Sequence, residues 1–147
     1  TNLSKLKFYI TRSSGFTLIE LLVVVAVLGI LAAVGTVSYN GYVKSAKKSS
    51  AENFLQQASL AQLEYYTNTG EYYPSGTADT CSANEDTSKL LGQDLFGDEK
   101  YIAYDEMEFY FCSYASETTY TILAEDQNSD CQISLTKNQA IQRENCG

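Results

Sequence analysis

The chain has 147 residues with 10 basic and 18 acidic side chains, a formal net charge of −8, four cysteines and no histidine. This length is enough for one modest domain, and the lack of histidine removes the commonest general base and the commonest metal ligand. The negative charge repels phosphate backbones, so we expect no direct nucleic-acid binding by a single copy of the chain.

The first 15 residues form a short basic leader that ends in Gly15. They contain Lys5, Lys7 and Arg12 and no acidic residue. Without them the chain would keep seven basic and 18 acidic side chains, a net charge of −11. Because positive flanks of apolar segments stay cytoplasmic, everything after the following segment is expected outside the cytoplasm.

Residues 16–38 are predicted to form a transmembrane helix. At about 1.5 Å per residue the segment is just long enough to span a bilayer. Its one charge is Glu20, and a carboxylate at a bilayer centre costs about 2.5–3.5 kcal/mol on insertion scales, so such groups are usually functional and paired. We therefore expect a partner for Glu20. A cleaved secretory signal peptide is the alternative, disfavoured by the length of the apolar run and by the charge within it.

Two glycines, Gly29 and Gly35, lie inside the apolar segment. In a membrane helix, glycine allows close packing or local unwinding, and it is also simply tolerated in lipid. Both interpretations stay open from the residues alone.

Residues 39–69 are predicted to continue the same helix as an amphipathic half. Apolar or small residues recur every three or four positions, at Tyr39, Val43, Ala46, Ser50, Phe54, Ala58, Ala61 and Tyr65. This period is typical of a helix with one buried face. One helix is therefore expected from about Phe16 to Asn68, ending at Gly70.

Residues 70–147 are predicted to form a globular head of loops and antiparallel strands. Residues 70–100 are rich in turn residues, with a short helical turn near Ser88 to Leu91. Strand-like runs follow at residues 101–104, 107–114, 119–124 and 131–135. The predicted fold is α+β, with a sheet of three or four strands packed on the amphipathic half of the helix.

The cysteines indicate an oxidising compartment. Cys81, Cys112, Cys131 and Cys146 all follow the apolar segment and form no C-x-x-C pair. An even number in this context predicts two disulfides, with three pairings open, and gives little support to zinc or thiol-redox chemistry.

No catalytic, metal or cofactor site is predicted, so we do not expect an enzyme. Serine and cysteine nucleophiles lack the usual histidine partner. Adjacent acids at 98–99, 105–106 and 125–126 allow a loop calcium site in principle, but solvated turn acids are favoured. The 12 tyrosines are interpreted as core and sheet residues in preference to an adhesive or charge-carrying surface.

The stretch Gly15-Phe16-Thr17-Leu18-Ile19-Glu20, followed by five apolar residues, resembles the type III signal of type IV prepilins and pseudopilins. The resemblance covers about a third of the chain. It implies that a prepilin peptidase cuts between Gly15 and Phe16 and that the new terminal Phe16 is N-methylated. Glu20 would then be the fifth residue of the mature chain, where the family has its glutamate.

The rest of the chain resembles this family more loosely. The C-terminal segment from Cys131 to Cys146 is similar to the disulfide-bounded C-terminal region of pilins, which implies the pairs Cys131–Cys146 and Cys81–Cys112. Many pilins have a helix-breaking proline at the position of Val37. Any unwinding of the helix here would therefore depend on Gly29 and Gly35.

The function implied by the resemblance is that of a structural subunit of a type IV pilus, serving adhesion, twitching motility or DNA uptake. N-terminal helices would pack in a helical filament of identical subunits, and the amine of Phe16 would neutralise Glu20 of a neighbour. The implied partners are the prepilin peptidase, the assembly platform and minor pilins. The precursor would reside in the bacterial inner membrane and the mature subunit in a surface pilus.

Two other functions stay open. A pseudopilin of type II secretion or of a DNA-uptake machine uses the same N-terminal chemistry in a periplasmic filament. A bitopic membrane protein with a small ectodomain would instead keep residues 1–15.

Overall fold

A computed structural model describes residues 14–147. Residues 1–13 of the predicted leader lie outside the described residues. Residues 14–17 are non-helical, and helix α1 then runs over Leu18–Thr69, 52 residues. This confirms the single long helix predicted from the sequence. The helix stops at Gly70, whose φ of 82° is left-handed and favours glycine.

The chain divides into two compact units, with the boundary between Gly41 and Tyr42. In the N-terminal unit every described residue is exposed. An 18-residue window of α1 has a mean hydropathy of 2.8 and no buried residue. Among residues 14–147, α1 is the one helix that is long and apolar enough to cross a membrane by length and composition.

The second unit contains a four-stranded antiparallel sheet in the order β1-β2-β3-β4. Its strands are β1 Phe109–Ala115, β2 Tyr120–Asp126, β3 Gln132–Thr136 and β4 Gln142–Glu144. The first three match the predicted runs, and their alternating side chains place one face of the sheet in the core. The register pairs Phe111 with Ala124 and Ile122 with Leu135.

The core lies between this sheet and the amphipathic half of α1, as predicted for an α+β fold. Ala51, Phe54, Leu55 and Ala58 are buried on the helix side. The sheet contributes a matching set of buried residues that includes Phe109, Phe111, Ile122 and Ile133. Phe54 meets Phe111 edge to face, with ring centroids 4.6 Å apart, a favourable aromatic geometry.

One polar side chain, Gln62 of α1, is fully buried in this core. Its Nε2 donates to the backbone oxygen of Tyr73 at 2.7 Å and to Ser113 Oγ at 3.0 Å. Its Oε1 accepts the backbone N–H of Tyr73 at 2.8 Å. Gln62 thereby fixes the segment after α1 to both the helix and β1, satisfying polar groups that would be costly to bury unpaired.

The segment between α1 and the sheet contains two further helices. Helix α2 spans Glu85–Phe96, longer than the predicted helical turn, and Asn84 and Thr87 form a capping box at its start. Helix α3 spans Tyr104–Met107.

The strand predicted at residues 101–104 is therefore wrong. The Asp98 side chain accepts the N–H of Lys100 at 2.9 Å, and the Asp98 carbonyl accepts the N–H of Tyr101 at 3.0 Å. Such local hydrogen bonds compete with strand pairing. Strand β1 accordingly begins at Phe109, and Met107 belongs to α3.

The sequence prediction also missed β4. Its three residues, Gln142, Arg143 and Glu144, are all exposed, so no apolar alternation marks them. Pairing to β3 in the folded chain, with Ile133 opposite Arg143, makes this segment a strand.

The four cysteines form two disulfides. Cys81 is joined to Cys112 across a sequence separation of 31 residues, and Cys131 to Cys146 across 15 residues. This is the pairing that the family resemblance implied. The first disulfide ties the segment before α2 to β1, and the second closes the C-terminal loop around β4.

Candidate functional site

The start of α1 is held by hydrogen bonds between Thr17 and Glu20. The Thr17 N–H and Oγ1–H both donate to Glu20 Oε2, at 2.8 and 3.0 Å, and the Glu20 N–H donates to Thr17 Oγ1 at 3.3 Å. This is a capping box, in which the cap residue and the residue three positions later satisfy each other's backbone donors. The signal for it in the sequence is Thr-x-x-Glu at residues 17–20, which was not among the predicted features of Glu20.

The capping box leaves part of the Glu20 carboxylate available. Both hydrogen bonds to the side chain end on Oε2, and within residues 14–147 no basic side chain pairs with Glu20. A carboxylate in the first turn also interacts favourably with the helix dipole. The side chain is thus held in one orientation with Oε1 open to a second group.

The predicted cleavage position lies just outside the helix. Gly15 and Phe16 precede the first helical residue, Leu18, and Phe16 is 85% exposed. In the uncleaved chain the nitrogen of Phe16 is a peptide amide, so it carries no positive charge that could pair with Glu20. The two predicted partners therefore lie four residues apart in the sequence and are not ion-paired in this form.

The N-terminal half of α1 presents a large uncovered apolar surface. Its leucine, isoleucine and valine side chains from Leu18 to Val37 are exposed. Exposed apolar patches of this size mark surfaces that contact protein or membrane. Gly29 and Gly35 lie in regular helix within this surface, and a methyl group added at either would meet no atom within 4 Å.

The three lysines on α1 line a cavity of the head, and two of them contact other head residues. A cavity of about 420 Å³ is lined by Lys44, Lys47 and Lys48 together with residues of β1 and the C-terminal loop. Lys47 is ion-paired with Glu108, and Lys48 Nζ donates to the carbonyl oxygen of Cys146 at 2.9 Å. These contacts join α1 to the residue before β1 and to the C-terminal loop, which indicates a structural role for two of the three lysines.

The acidic residues form no metal-binding cluster in the described part of the chain, and several tyrosines pack against one another. Among residues 14–147 no three side chains of the metal-binding types come together. Tyr72 and Tyr120 are one such pair, whose rings are tilted by 53° with centroids 5.1 Å apart. This is the packing role expected from the sequence.

Comparison with known proteins finds one matching family model and several similar curated proteins. Residues 10–36 match the prokaryotic N-terminal methylation motif. The chain is 40% identical over 76 residues to a fimbrial protein of Neisseria meningitidis, covering 52% of this chain and 45% of that protein. It is 43% identical over 75 residues to a type IV major pilin of Neisseria gonorrhoeae, covering 49% and 35%.

A type IV major pilin of Myxococcus xanthus is 38% identical over 61 residues, covering 42% of this chain and 28% of that protein. The chain thus spans less than half the length of these curated relatives. No solved structure matches it.

Proposed function

We propose that the protein is a structural subunit of a type IV pilus, on the basis of its match to the prokaryotic N-terminal methylation motif and its similarity to fimbrial proteins and type IV major pilins. One observation carries the proposal. The apolar half of α1 is exposed, with no covering partner among residues 14–147, and it overlaps residues 10–36, which match the prokaryotic N-terminal methylation motif. A filament of parallel α1 helices would bury this surface.

The precursor is proposed to reside in the bacterial inner membrane through residues 16–38. The prepilin peptidase cuts between Gly15 and Phe16, and the new amine of Phe16 is methylated. Exposed, non-helical backbone at Gly15 and Phe16 supports this site, because a peptidase binds an accessible segment more readily than one already in a helix. After cleavage the subunit leaves the membrane for the growing filament on the cell surface, through the assembly platform and with minor pilins.

Glu20 is proposed to pair with the amine of Phe16 from a neighbouring subunit. Burying the carboxylate among apolar helices without a partner would cost several kcal/mol. The capping box supports this pairing, since it orients the carboxylate and leaves Oε1 open. Because both charges are satisfied at one axial stagger, the pair sets the register of assembly.

The test separates the charge of Glu20 from its capping role. Gln at this position keeps the capping box but removes the charge, so Glu20→Gln should be cleaved and inserted normally yet form few or no filaments. Breaking a buried pair costs about 3–5 kcal/mol, enough to abolish assembly. Thr17→Val is the matched control, because it loses the hydroxyl of the cap and keeps the charge, and it should assemble. Normal filaments from Glu20→Gln would contradict the ion pair.

Two measurements test the assignment as a whole. Intact mass of the membrane-extracted protein should give a chain that begins at methylated Phe16, whereas a chain that keeps residues 1–15 would indicate a bitopic membrane protein. Electron microscopy of sheared cell-surface material should show filaments containing the subunit. Their absence, with the processed subunit in the periplasm, would indicate a pseudopilin. Loss of adhesion, twitching motility or DNA uptake on deletion would then assign the role of the filament.

A further inference from the structure

The unit that begins at Tyr42 carries a cluster of three lysines close to its first residue: Lys44, Lys47 and Lys48. Residues 21–51 contain no acidic side chain, whereas the unit as a whole has 17 acidic and seven basic side chains. Three of its seven positive charges therefore lie within five consecutive residues. An anionic surface repels a unit of this charge, and the lysine cluster is where the two can approach most closely.

The three lysines line the cavity of about 420 Å³, and cavities of this size commonly hold small ligands. The charged side chains of its wall are the three lysines and two acids, Glu108 and Asp126. The wall therefore has a net charge of one positive, which matches the single negative charge of a phosphodiester. The wall also contains uncharged side chains that can donate hydrogen bonds to phosphate oxygens, those of Asn128, Ser129 and Asn145.

Two of the three ammonium groups have no acidic partner among residues 14–147. Lys47 is paired with Glu108, but Lys44 and Lys48 belong to none of the ion pairs in that part of the chain. Lys48 Nζ donates to a neutral acceptor, the carbonyl oxygen of Cys146, at 2.9 Å. An ammonium group has three N–H donors, so Lys48 keeps donors for a second acceptor. Lysine binds phosphate as a point charge, and these two ammonium groups suit the cavity to an anion.

The sequence places the cavity close to a membrane surface in the proposed precursor. Lys44 follows residue 38, the end of the predicted transmembrane segment, by six residues, which span at most about 22 Å in any conformation. Tyr39 and Tyr42 lie between them and are 67% and 73% exposed. Tyrosines at the end of a membrane helix are typically found at the level of the lipid headgroups. The phosphate groups nearest to the cavity are then those of phospholipids.

We propose that the cavity binds the phosphodiester headgroup of an anionic phospholipid, in the outer leaflet of the membrane that the precursor spans. This inference rests on the proposed membrane-anchored precursor. Lys44 and Lys48 hold the phosphate by charge, and the amide and hydroxyl groups of the wall donate hydrogen bonds to its oxygens. The bound lipid holds the acidic head at the membrane surface until the subunit leaves for the filament.

The main test is native mass spectrometry of the 147-residue chain in micelles with equal amounts of phosphatidylglycerol and phosphatidylcholine. Wild type should retain one phosphatidylglycerol in preference to phosphatidylcholine, because the lysines repel the choline cation. K44Q/K48Q keeps hydrogen-bond donors and removes two charges, so retained phosphatidylglycerol should fall about tenfold or more. K89Q/K100Q is the matched control, since it changes the net charge equally at residues outside the cavity, and it should retain the lipid as wild type does.

Two further measurements use the wild-type chain. In vesicles, phosphatidylglycerol with a photoreactive diazirine on its headgroup should crosslink to residues 107–109 or 126–131, which include much of the cavity wall. In detergent without lipid, titration with inorganic phosphate should give at most weak binding, because the ligand is no longer held beside the site by the membrane. Tight binding of inorganic phosphate would make free phosphate the ligand and overturn the lipid assignment.

The proposal is also overturned by equal retention of the two lipids, by wild-type retention in K44Q/K48Q, by an equal loss in K89Q/K100Q, or by crosslinks confined to residues 14–42. Thermal unfolding of K44Q/K48Q in detergent should match that of wild type, and if this variant fails to fold, the wild-type crosslink decides. A chain that does not insert into vesicles contradicts the proposed function. A chain that is cleaved before Phe16 and forms filaments, but shows no preference between the lipids, contradicts this inference alone.

Discussion

Replacing Gln62 tests how the buried hydrogen bonds of the head contribute to its stability. The side chain is fully buried and makes three hydrogen bonds of 2.7–3.0 Å, two to the backbone of Tyr73 and one to Ser113 Oγ. Met has a similar volume and no amide, so Gln62→Met removes the bonds without opening a large cavity. Ala removes the bonds and leaves a cavity as well.

The size of the destabilisation depends on which hydrogen-bond partners of Gln62 are left unsatisfied. The Tyr73 carbonyl keeps a hydrogen bond from Ser113 Oγ at 3.1 Å, and Ser113 Oγ also reaches the Thr121 carbonyl at 3.1 Å. The Tyr73 N–H loses its acceptor, and an unsatisfied buried donor costs about 1–3 kcal/mol. Gln62→Met should therefore lower the free energy of unfolding by about 1–3 kcal/mol, and Gln62→Ala by roughly 2 kcal/mol more through its cavity.

The assay is urea unfolding of the detergent-solubilised, disulfide-intact protein, followed by the near-ultraviolet circular dichroism of its tyrosines. Gln56→Met is the control, because Gln56 is an exposed residue of the same helix and a surface substitution should change stability by at most about 0.5 kcal/mol. If Gln62→Met unfolds at the same urea concentration as Gln56→Met, the hydrogen bonds of Gln62 contribute nothing and the reasoning is refuted.

Two further predictions concern the same head. A methyl group added at Gly92 would lie 2.8 Å from the backbone oxygen of Asp98, so Gly92→Ala should destabilise the head by about 1–3 kcal/mol. Gly41→Ala, where nothing lies within 4 Å, should be neutral or stabilising in the same unfolding assay. Burial, with a smaller effect of Asp94, raises the pKa of Tyr73 far above its ordinary value. Since the unfolded chain then releases this proton first, stability should fall as pH rises above about 10. Tyr73→Phe should reduce that fall, and an unchanged pH profile in this variant would contradict the assignment.

The parts of the fold that were predicted correctly rest on local patterns. A membrane-length apolar run and a three-to-four residue period predict α1, because burial of one helix face requires that spacing. Strands β1 to β3 follow from alternation, because successive side chains in a strand point to opposite faces. Both patterns are properties of neighbouring residues and can be read without knowing what packs against them.

The errors have two causes: local hydrogen bonds that the hydropathy pattern does not show, and pairing between segments that are distant in the sequence. Residues 101–104 have strand-forming side chains but turn at Asp98 and lead into α3. Strand β4 has no apolar alternation, and it forms because its backbone pairs with β3. The residues of the candidate site were predicted from the sequence, but the capping box between Thr17 and Glu20 was not, because hydropathy and charge do not mark the hydrogen bonds of a helix start.

A long two-part helix, a lone carboxylate at Glu20 and an antiparallel head were predictable from the sequence, because charge, hydropathy and period are local quantities. Tertiary structure alone decided what Gln62 holds together and which residues line a cavity with Lys44, Lys47 and Lys48. It also decided between the three disulfide pairings that the residues left open. These features depend on which chain segments come together in space. Burial and hydrogen bonding are properties of those contacts and cannot be read from neighbouring residues in the sequence.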